Sequence, residues 1–440
     1  MSKQKNHSQK TAQTTLPKMR ANAGGIDIGA TQTFVAVPAD RDSQTIRSFP
    51  TFTQDLYKLA AWLRQCGVDT VAMESTGVYW IPLFQILEEQ GIEVFLVNAH
   101  HVRTVPGRKT DVSDCQWLQY LHSVGLLNAS YRPAQQVCAV RSLLRHRVGL
   151  VQMAATHVNR MQKSMTQMNL QLHHVISDIT GYSGLAIIDA ILQGERDPNV
   201  LAQLCNNRIK ASKSVIAKSL VGDYRREHLF TLKQSLQCYR QYQQLIHDCD
   251  AEIRALLAEF ESKDCSIQGS KGSCENPLKT ELHRLYGVDL TRIPGLGVET
   301  VQAIFGEVGR DFTKFRSASA FASWLTLCPN NKISGGRILS SHTKKTASRA
   351  SSILRFAAQS LHHSKSALGN FYRRMRARLG AAKAITAAAH KIARIIFHLV
   401  TTHQEFDDTR FQTDQHNYQK HQEAKLRARA KALGFQLLPI

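Results

Sequence analysis

The feature that most constrains the fold is the order of strand and helix signals between residues 24 and 100. Three apolar, β-branched segments (GGIDIG, QTFVAVPA and QTIRSFPTF) follow one another closely, which predicts three consecutive antiparallel strands. A segment of helical period, TQDLYKLAAWLRQCG, comes next. Strand-like DTVAMEST, helical WIPLFQILEEQG and strand-like IEVFLVNAH complete the series. The order β-β-β-α-β-α-β predicts an α/β domain at the N-terminus.

Two acidic residues interrupt these apolar strands. Asp27 lies within the first strand segment, and Glu74 ends the fourth. A carboxylate inside an apolar run is costly unless it is paired or bound to a metal. A helix that starts at Asp111 closes the series of elements. The complete order is that of a ribonuclease-H-like domain, in which the ends of strands and helices bring scattered carboxylates together. We therefore predict that Asp27 and Glu74 belong to one site.

The helix that closes this domain begins with a second pair of acids. Asp111 and Asp114 are three residues apart in KTDVSD, so both lie on one helix face. Two carboxylates on one face repel each other, and a helix N-terminus among basic residues offsets only part of that repulsion. An Asp N-cap followed by an ordinary first-turn acid is the simpler alternative. Together with Asp27 and Glu74, however, the pair makes four carboxylates that could hold two magnesium ions about 4 Å apart at a phosphodiester.

The charge of the chain favours a polyanionic partner. Fifty-six Lys and Arg against 34 Asp and Glu give a formal net charge of +22 over 440 residues, so nucleic acid is the leading candidate. Residues 115–177 and 312–404 contain no Asp or Glu. The predicted nucleic-acid contacts are cations of these segments and of the loop before the closing helix: Lys109, Arg141, Arg145, Arg160, Lys163, Lys332, Arg337, Lys344 and Lys345. A non-enzymatic nucleic-acid-packaging protein would explain this charge but not the ordered carboxylates.

The middle of the chain is predicted to be helical. Residues 135–172 form a basic helix, and apolar or aromatic residues step by threes and fours from Leu229 to Leu256, which predicts a coiled-coil seam. The spacing does not distinguish an intramolecular helical hairpin from a dimer contact, and we favour dimerisation. Residues 261–279 are rich in Gly, Ser and charge, and are predicted to be a linker.

The C-terminal region contains two further motifs. IPGLGVETVQAIFGEVG has a Pro-Gly-x-Gly turn before a helix, which either exposes backbone N–H groups to a phosphate, as in helix-hairpin-helix modules, or forms a packing corner. In NKISGGR, Ser334 precedes two glycines and is flanked by Lys332 and Arg337, so it could act as a nucleophile. The motif alone favours an ordinary turn, because no general base adjoins it. Ser340 and Ser341 lie close enough to compete for the same role.

Cysteine spacing and hydropathy argue against several other classes. The nine cysteines form no CxxC pair, which argues against a zinc site and a disulfide framework. We find no secretory leader and no apolar run of 18 residues, so no membrane contact is predicted and the protein should be cytoplasmic.

Four segments, taken in order, resemble a known family. GIDIGATQTFVAV, MESTGVYW, KTDVSD and WLTLCPNNKISGGR resemble the DEDD-type insertion-sequence transposases that are described as bridge-RNA-guided recombinases. The resemblance spans most of residues 24–400. It implies an N-terminal RuvC-like domain whose acids bind magnesium, and a mainly helical C-terminal transposase domain with a nucleophilic serine. Carried onto this sequence, these residues are Asp27, Glu74, Asp111, Asp114 and Ser334.

The resemblance also implies a mechanism and partners. The serine would join covalently to a DNA 5′ phosphate, and acids and serine of different subunits would form composite sites. A structured non-coding guide RNA would pair with the double-stranded DNA of element and target, so that base pairing selects the sequence. A homodimer or homotetramer is expected, in a prokaryotic cell and at the nucleoid when active.

These expectations divide the chain into six parts: a disordered basic arm (1–22), a RuvC-like catalytic domain (23–135), a helical and coiled-coil region (136–260), a linker (261–279), a C-terminal transposase domain (280–404) and a charged tail (405–440). One enzymatic alternative remains. GIDIGATQT also resembles the first phosphate loop of actin-like ATPases and sugar kinases, which would use Asp27 with magnesium-ATP. Those proteins need a second acidic, glycine-rich phosphate loop and an adenosine loop, and we find neither in this sequence.

Overall fold

The computed structural model of the chain describes residues 17–75, 77–98, 111–263, 276–344 and 348–436, without the side chains of 111–113, 410–419 and 421. The chain divides into two units, Met1–Arg132 and Pro133–Ile440.

The first unit is built on a five-stranded mixed sheet. Its strands are β1 (Ala23–Ile28), β2 (Gln32–Ala36), β3 (Ile46–Pro50), β4 (Thr70–Glu74) and β5 (Glu93–Val97). They lie in the order β3-β2-β1-β4-β5, with β1 antiparallel to β2 and parallel to β4. The helices of this unit are α1 (Thr53–Gln65), α2 (Trp80–Glu89) and α3 (Asp111–Ser123). The predicted mixed α/β architecture is confirmed.

Helices cover both faces of this sheet. Successive residues of a strand point to opposite faces, so alternation decides which helix each side chain meets. Ile26 and Met73 pack in one core with the apolar residues of α1 and α2. Ala72, on the other face, packs in a second core with Leu118 and Leu121 of α3. The sheet is therefore buried on both sides, as parallel strands with helical crossovers require.

The second unit is mostly helical, and two long helices dominate its first half. These helices are α4 (Gln135–Gln167) and α9 (Arg226–Ala258). Arg147 donates to Asp250 through Nε and Nη2 at 2.5 and 3.0 Å. Farther along α4, the Ser164 and Thr231 hydroxyl oxygens are 3.0 Å apart. The two helices therefore run antiparallel.

Four short helices fill the connection between α4 and α9: α5 (Leu172–Val175), α6 (Tyr182–Gln193), α7 (Pro198–Gln203) and α8 (Lys213–Ser219). They share one apolar core with Met161 and Met165 of α4 and with Leu232 and Leu236 of α9. The stripe predicted as a coiled-coil seam is thus used within the chain, which is the intramolecular alternative. Dimerisation through this stripe stays a prediction.

The rest of the second unit comprises helices around a small hairpin: α10 (Pro277–Tyr286), α11 (Val298–Val308), α12 (Ala318–Trp324), β6 (Lys332–Ser334), β7 (Arg337–Ser340), α13 (Arg349–Ser360), α14 (Ala367–Leu379), α15 (Ala381–Thr402) and α16 (Thr409–Ala432). Helix α4 packs directly against α11, because a Cβ at Gly306 would lie 2.5 Å from Leu144. The helical region and the C-terminal part, predicted as separate domains, therefore belong to one unit.

Two predicted boundaries differ from the structure. The basic arm was predicted to extend to residue 22, yet the backbone N–H groups of Met19 and Arg20 donate to Ser123 O at 2.8 and 2.9 Å. The linker was predicted to extend to residue 279, yet α10 begins at Pro277, because the Asn276 side chain accepts from the first helical N–H groups. In both cases polar sequence forms specific backbone contacts that composition does not reveal.

One helix among the described residues, Ala381–Thr402, is long and apolar enough to cross a membrane by length and composition. This is α15, whose apolar sequence is interrupted by Lys383, Lys391 and Arg394. Its buried residues include Ala388, Ile392 and Ile396. The helix lies in the core of the second unit, where a long apolar helix needs no membrane to bury its surface.

Candidate active site

Two of the four predicted acids lie side by side on one face of the sheet. β1 and β4 pair in parallel with Gly25 opposite Ala72 and Ile26 opposite Met73. Asp27 and Glu74 hold the next matching positions, near the C-terminal ends of both strands. Ala72 faces α3, and residues two apart on a strand point to the same face of the sheet. Glu74 and its neighbour Asp27 on β1 therefore also face α3. Both carboxylates are half-buried.

Helix α3 brings the second pair of acids to the same end of the sheet. Gln119 Nε2 donates to Ala23 O at the start of β1 (3.1 Å), and His122 Nε2 is 2.9 Å from Thr70 Oγ1 at the start of β4. The helix thus runs antiparallel to both strands. Eight residues of helix rise about 12 Å, and four residues of strand extend about 13 Å. The first turn of α3, starting at Asp111, therefore reaches the level of the acid on β1.

The backbone of α3 lies directly on β1. A Cβ at Gly25 would be 2.2 Å from Cys115 O and 2.3 Å from Gln119 N. Burial raises the pKa of the Cys115 thiol to about 11, and the carboxylates of Asp27 and Asp114 add to this rise. Asp27 is two residues from Gly25 on β1, and Asp114 precedes Cys115 in α3, so both acids adjoin this contact between strand and helix.

The arrangement collects Asp27, Glu74 and Asp114 around one end of the sheet, and the side chain of Asp111 lies outside the described residues. Among the side chains that the structure does describe, no group of three or more His, Cys, Asp or Glu residues could hold a metal ion. The donors present are nevertheless of the kind that magnesium takes, because Mg²⁺ is usually held by one or two carboxylates together with water and substrate phosphates.

Ser334 lies at the turn of the hairpin in the second unit. It pairs with Arg337 across a two-residue turn in which Gly335 and Gly336 have φ values of +53° and +75°. Glycine adopts positive φ values without strain, so the Gly-Gly pair suits this turn. Ser334 is exposed, as are Lys332 and Arg337 beside it. Ser340, by contrast, accepts a weak hydrogen bond from the His342 N–H at 3.4 Å.

The predicted nucleic-acid-binding cations of α4 fall into two groups. Arg141 donates to the carbonyl oxygens of Gly306 and Glu307 at 2.9 and 2.8 Å, and Arg145 binds the Glu307 carboxylate through two hydrogen bonds of 3.0 and 2.8 Å. Arg160 and Lys163 are exposed and line a groove of about 560 Å³ between α4 and α9. Lys344 is also exposed, whereas Lys109 and Lys345 lie outside the described residues.

Comparison with known proteins identifies the family of the chain. Residues 24–170 match a transposase model of the DEDD type from IS110 elements, and residues 289–373 match the model of the transposase IS116/IS110/IS902 family. Together the two matches cover just over half of the chain. It belongs to the IS110 family of DEDD-type transposases. No curated protein sequence matches the chain.

As an IS110-family transposase the protein is an enzyme of DNA recombination, and transposases act on DNA. The first match contains β1, β4 and α3 with their acids, and the second contains the hairpin with Ser334. DEDD-type transposases typically use a divalent metal. The structure adds Gly25 to the predicted residues, since it sets the contact between α3 and β1. A glycine inside a strand signals such a close approach, so the sequence contained this information.

Proposed function

We propose that this transposase cuts and rejoins element and target DNA through a covalent bond between Ser334 and a DNA phosphate, and that Asp27, Glu74, Asp111 and Asp114 form its RuvC-like metal site. The main support is that Asp27, Glu74 and the first turn of α3 lie at the same position along the strand direction, at one end of the sheet. The strand order β3-β2-β1-β4-β5 is also that expected for a ribonuclease-H-like domain. The family matches speak against the ATPase alternative.

The four carboxylates would hold magnesium, two ions in our proposal. Bound there, magnesium would offset the charge that develops on a phosphate during transfer. The acids themselves would position the cations, because without a cation their negative charges repel a phosphate. Half-burial of Asp27 and Glu74 suits this role, because electrostatic interactions strengthen as water is excluded.

The covalent step is a transesterification. Ser334 Oγ attacks the phosphorus of a DNA phosphodiester, a Ser–O–P bond forms, and the P–O bond to the 3′ oxygen breaks. The serine proton leaves, and the 3′ oxygen ends as a hydroxyl. Rejoining reverses these changes when the 3′ hydroxyl of another strand attacks the same phosphorus. One ester replaces another at each step, so the exchange needs no ATP. Exposure of Ser334 at a turn between two cations supports this role.

We further propose that a structured RNA of the element guides the reaction, in a homodimer or homotetramer. The second unit has exposed cations that could contact nucleic-acid backbones: Arg160, Lys163, Lys332, Arg337 and Lys344. Sequencing of the RNA that copurifies with the protein tests the guide. One abundant structured RNA is expected, and a random sample of cellular RNA would contradict guidance.

The catalytic proposal is tested by Ser334→Ala and Asp27→Asn, with Ser340→Ala and Ser341→Ala as matched serine controls. We expect the first two variants to lose strand exchange on element and target DNA while retaining RNA binding. We expect a covalent protein–DNA adduct to form in wild type and in both control variants. An adduct that persists in Ser334→Ala and disappears in Ser341→Ala would transfer the nucleophile to Ser341.

A further inference from the structure

A cavity of about 1160 Å³ opens in the second unit, beside the hairpin that carries Ser334. One face of α15, from Lys383 to His398, forms one wall. The chain that leaves the hairpin, at Ser341 and His342, forms another. Pockets of roughly 300–1,000 Å³ hold ligands of drug size, so this cavity has room for a nucleotide.

Three cations and two carboxylates are the charged residues that line the cavity. Lys383, Lys391 and Arg394 project from the same face of α15 into the cavity. Residues 312–404 contain no acid, and the carboxylates that line the cavity, Glu405 and Asp407, follow α15. The wall that α15 forms therefore carries only positive charge, and this wall attracts an anionic group such as a phosphate.

The cavity also has apolar and aromatic surface. Leu327 and Ile395 line it, and so does Phe371, whose ring centroid is 4.7 Å from the Lys391 Nζ. His390 is half-buried at the wall, and burial, with Arg394 nearby, lowers the pKa of its imidazole. At neutral pH this imidazole is uncharged and both donates and accepts a hydrogen bond, as the edge of a base requires. The lining therefore suits both parts of a nucleotide.

We propose that this cavity binds one unstacked nucleotide of a DNA or RNA strand, with the base against Phe371 and the phosphate near Lys391 and Arg394. Proteins hold unpaired nucleotides in this way, with cations along the backbone and aromatic rings against the base. A second copy of this chain has a net charge of +22 and would bring more positive charge to these cations, so the charges favour nucleic acid. The inference rests on the proposed function, because the cavity adjoins the hairpin that carries the nucleophile.

Photocrosslinking of the full-length protein tests this site. DNA and RNA oligonucleotides of one sequence carry a single 4-thiothymidine or 4-thiouridine, and mass spectrometry locates the adducts. We expect adducts on peptides of α14 and α15. Ala387→Trp places a large ring in the cavity, and the matched control Ala377→Trp adds the same ring on the exposed side of α14. Ala387→Trp should lower crosslinking and affinity roughly tenfold, the effect of losing one stacked base, and Ala377→Trp should change neither.

Adducts from the DNA or the RNA probe alone would each support the site and identify which strand occupies it. Equal crosslinking of Ala387→Trp and Ala377→Trp would overturn it. The site would also be overturned if Ala387→Trp changed the oligomeric state, measured by light scattering, and left crosslinking unchanged. The cavity would then be a contact between copies of the chain. Lys391→Gln provides a second test if Ala387→Trp unfolds, and unchanged crosslinking in that variant would refute the site. Ser334→Ala should crosslink like wild type, because the serine is not part of the cavity. Crosslinking therefore tests the cavity, and strand exchange separately tests the catalytic proposal.

Discussion

Gly25→Ala should separate the two halves of the acidic site without touching any acid. The new Cβ would lie 2.2 Å from Cys115 O and 2.3 Å from Gln119 N, whereas ordinary contacts begin at 3.4 Å. Both neighbours are helix backbone, so α3 must move away from β1 by about 1 Å. Overpacking of this kind costs about 1–3 kcal/mol of stability, and a displacement of 1 Å in a catalytic group costs about 100-fold in rate.

Gly24→Ala is the matched control on the same strand. Its Cβ would meet Val71 Cγ1 at 3.1 Å and Val68 Cγ1 at 3.3 Å, which are side-chain methyl groups on the opposite face. These methyl groups can shift by a few tenths of an ångström, so strand exchange should stay within about threefold of wild type, a difference of about 0.7 kcal/mol in the barrier.

Three measurements check the pair of variants. Strand exchange gives the rate, and urea unfolding followed by tryptophan fluorescence gives the stability. Labelling of the fully buried Cys115 thiol under native conditions, located by mass spectrometry, reports movement of α3 independently of activity. We expect faster labelling in Gly25→Ala alone. Wild-type activity together with wild-type labelling in Gly25→Ala would refute the contact that positions the acids.

Two further predictions concern stability and binding. Burial lowers the pKa of His122 to about 4 in the folded protein. In the unfolded chain the pKa of this histidine is near 6.5, so the unfolded chain binds more protons than the folded one below pH 6.5. The free energy of unfolding of the first unit should therefore fall by about 3 kcal/mol as pH falls from 6.5 to 4. In urea titrations His122→Leu should remove this dependence and His146→Leu, on the exposed surface of α4, should keep it; an unchanged slope in His122→Leu would contradict the assignment. For nucleic-acid binding, Arg160→Gln or Lys163→Gln should each reduce the salt dependence of log K by about 1, whereas Arg145→Gln, which loses the pair with Glu307, should mainly lower the unfolding temperature; the opposite pattern would reverse these roles.

The sheet could be predicted from sequence because its signals are local. Each strand is a short β-branched run, and each helix between strands has its own apolar period. Asp27 and Glu74 were identifiable for the same reason, since a single acid within an apolar run is conspicuous. Their common face followed only from the pairing of β1 with β4, which is a contact between residues far apart in sequence.

The roles of the cations could not be predicted in this way. Arg141 and Arg145 look like Arg160 and Lys163 in sequence, because all four lie on one acid-free helix. Their difference comes from Glu307, more than 160 residues away, which pairs with Arg145 when α11 packs on α4. The apolar stripe of α9 likewise predicts a helical partner but not its identity. Sequence patterns show which face of an element must be covered, and tertiary packing decides what covers it.

The position of Gly25 shows how the candidate site depends on this packing. At Gly25, a residue without a Cβ, the backbone of α3 rests directly on the backbone of β1. Backbone contacts of this kind are rigid, because protein interiors are close-packed. The distance between the two pairs of acids is therefore set by the main chain, and substitutions at the first pair leave the position of α3 unchanged. Loss of activity in Asp27→Asn can then be attributed to the lost charge, whereas loss in Gly25→Ala reports the lost geometry.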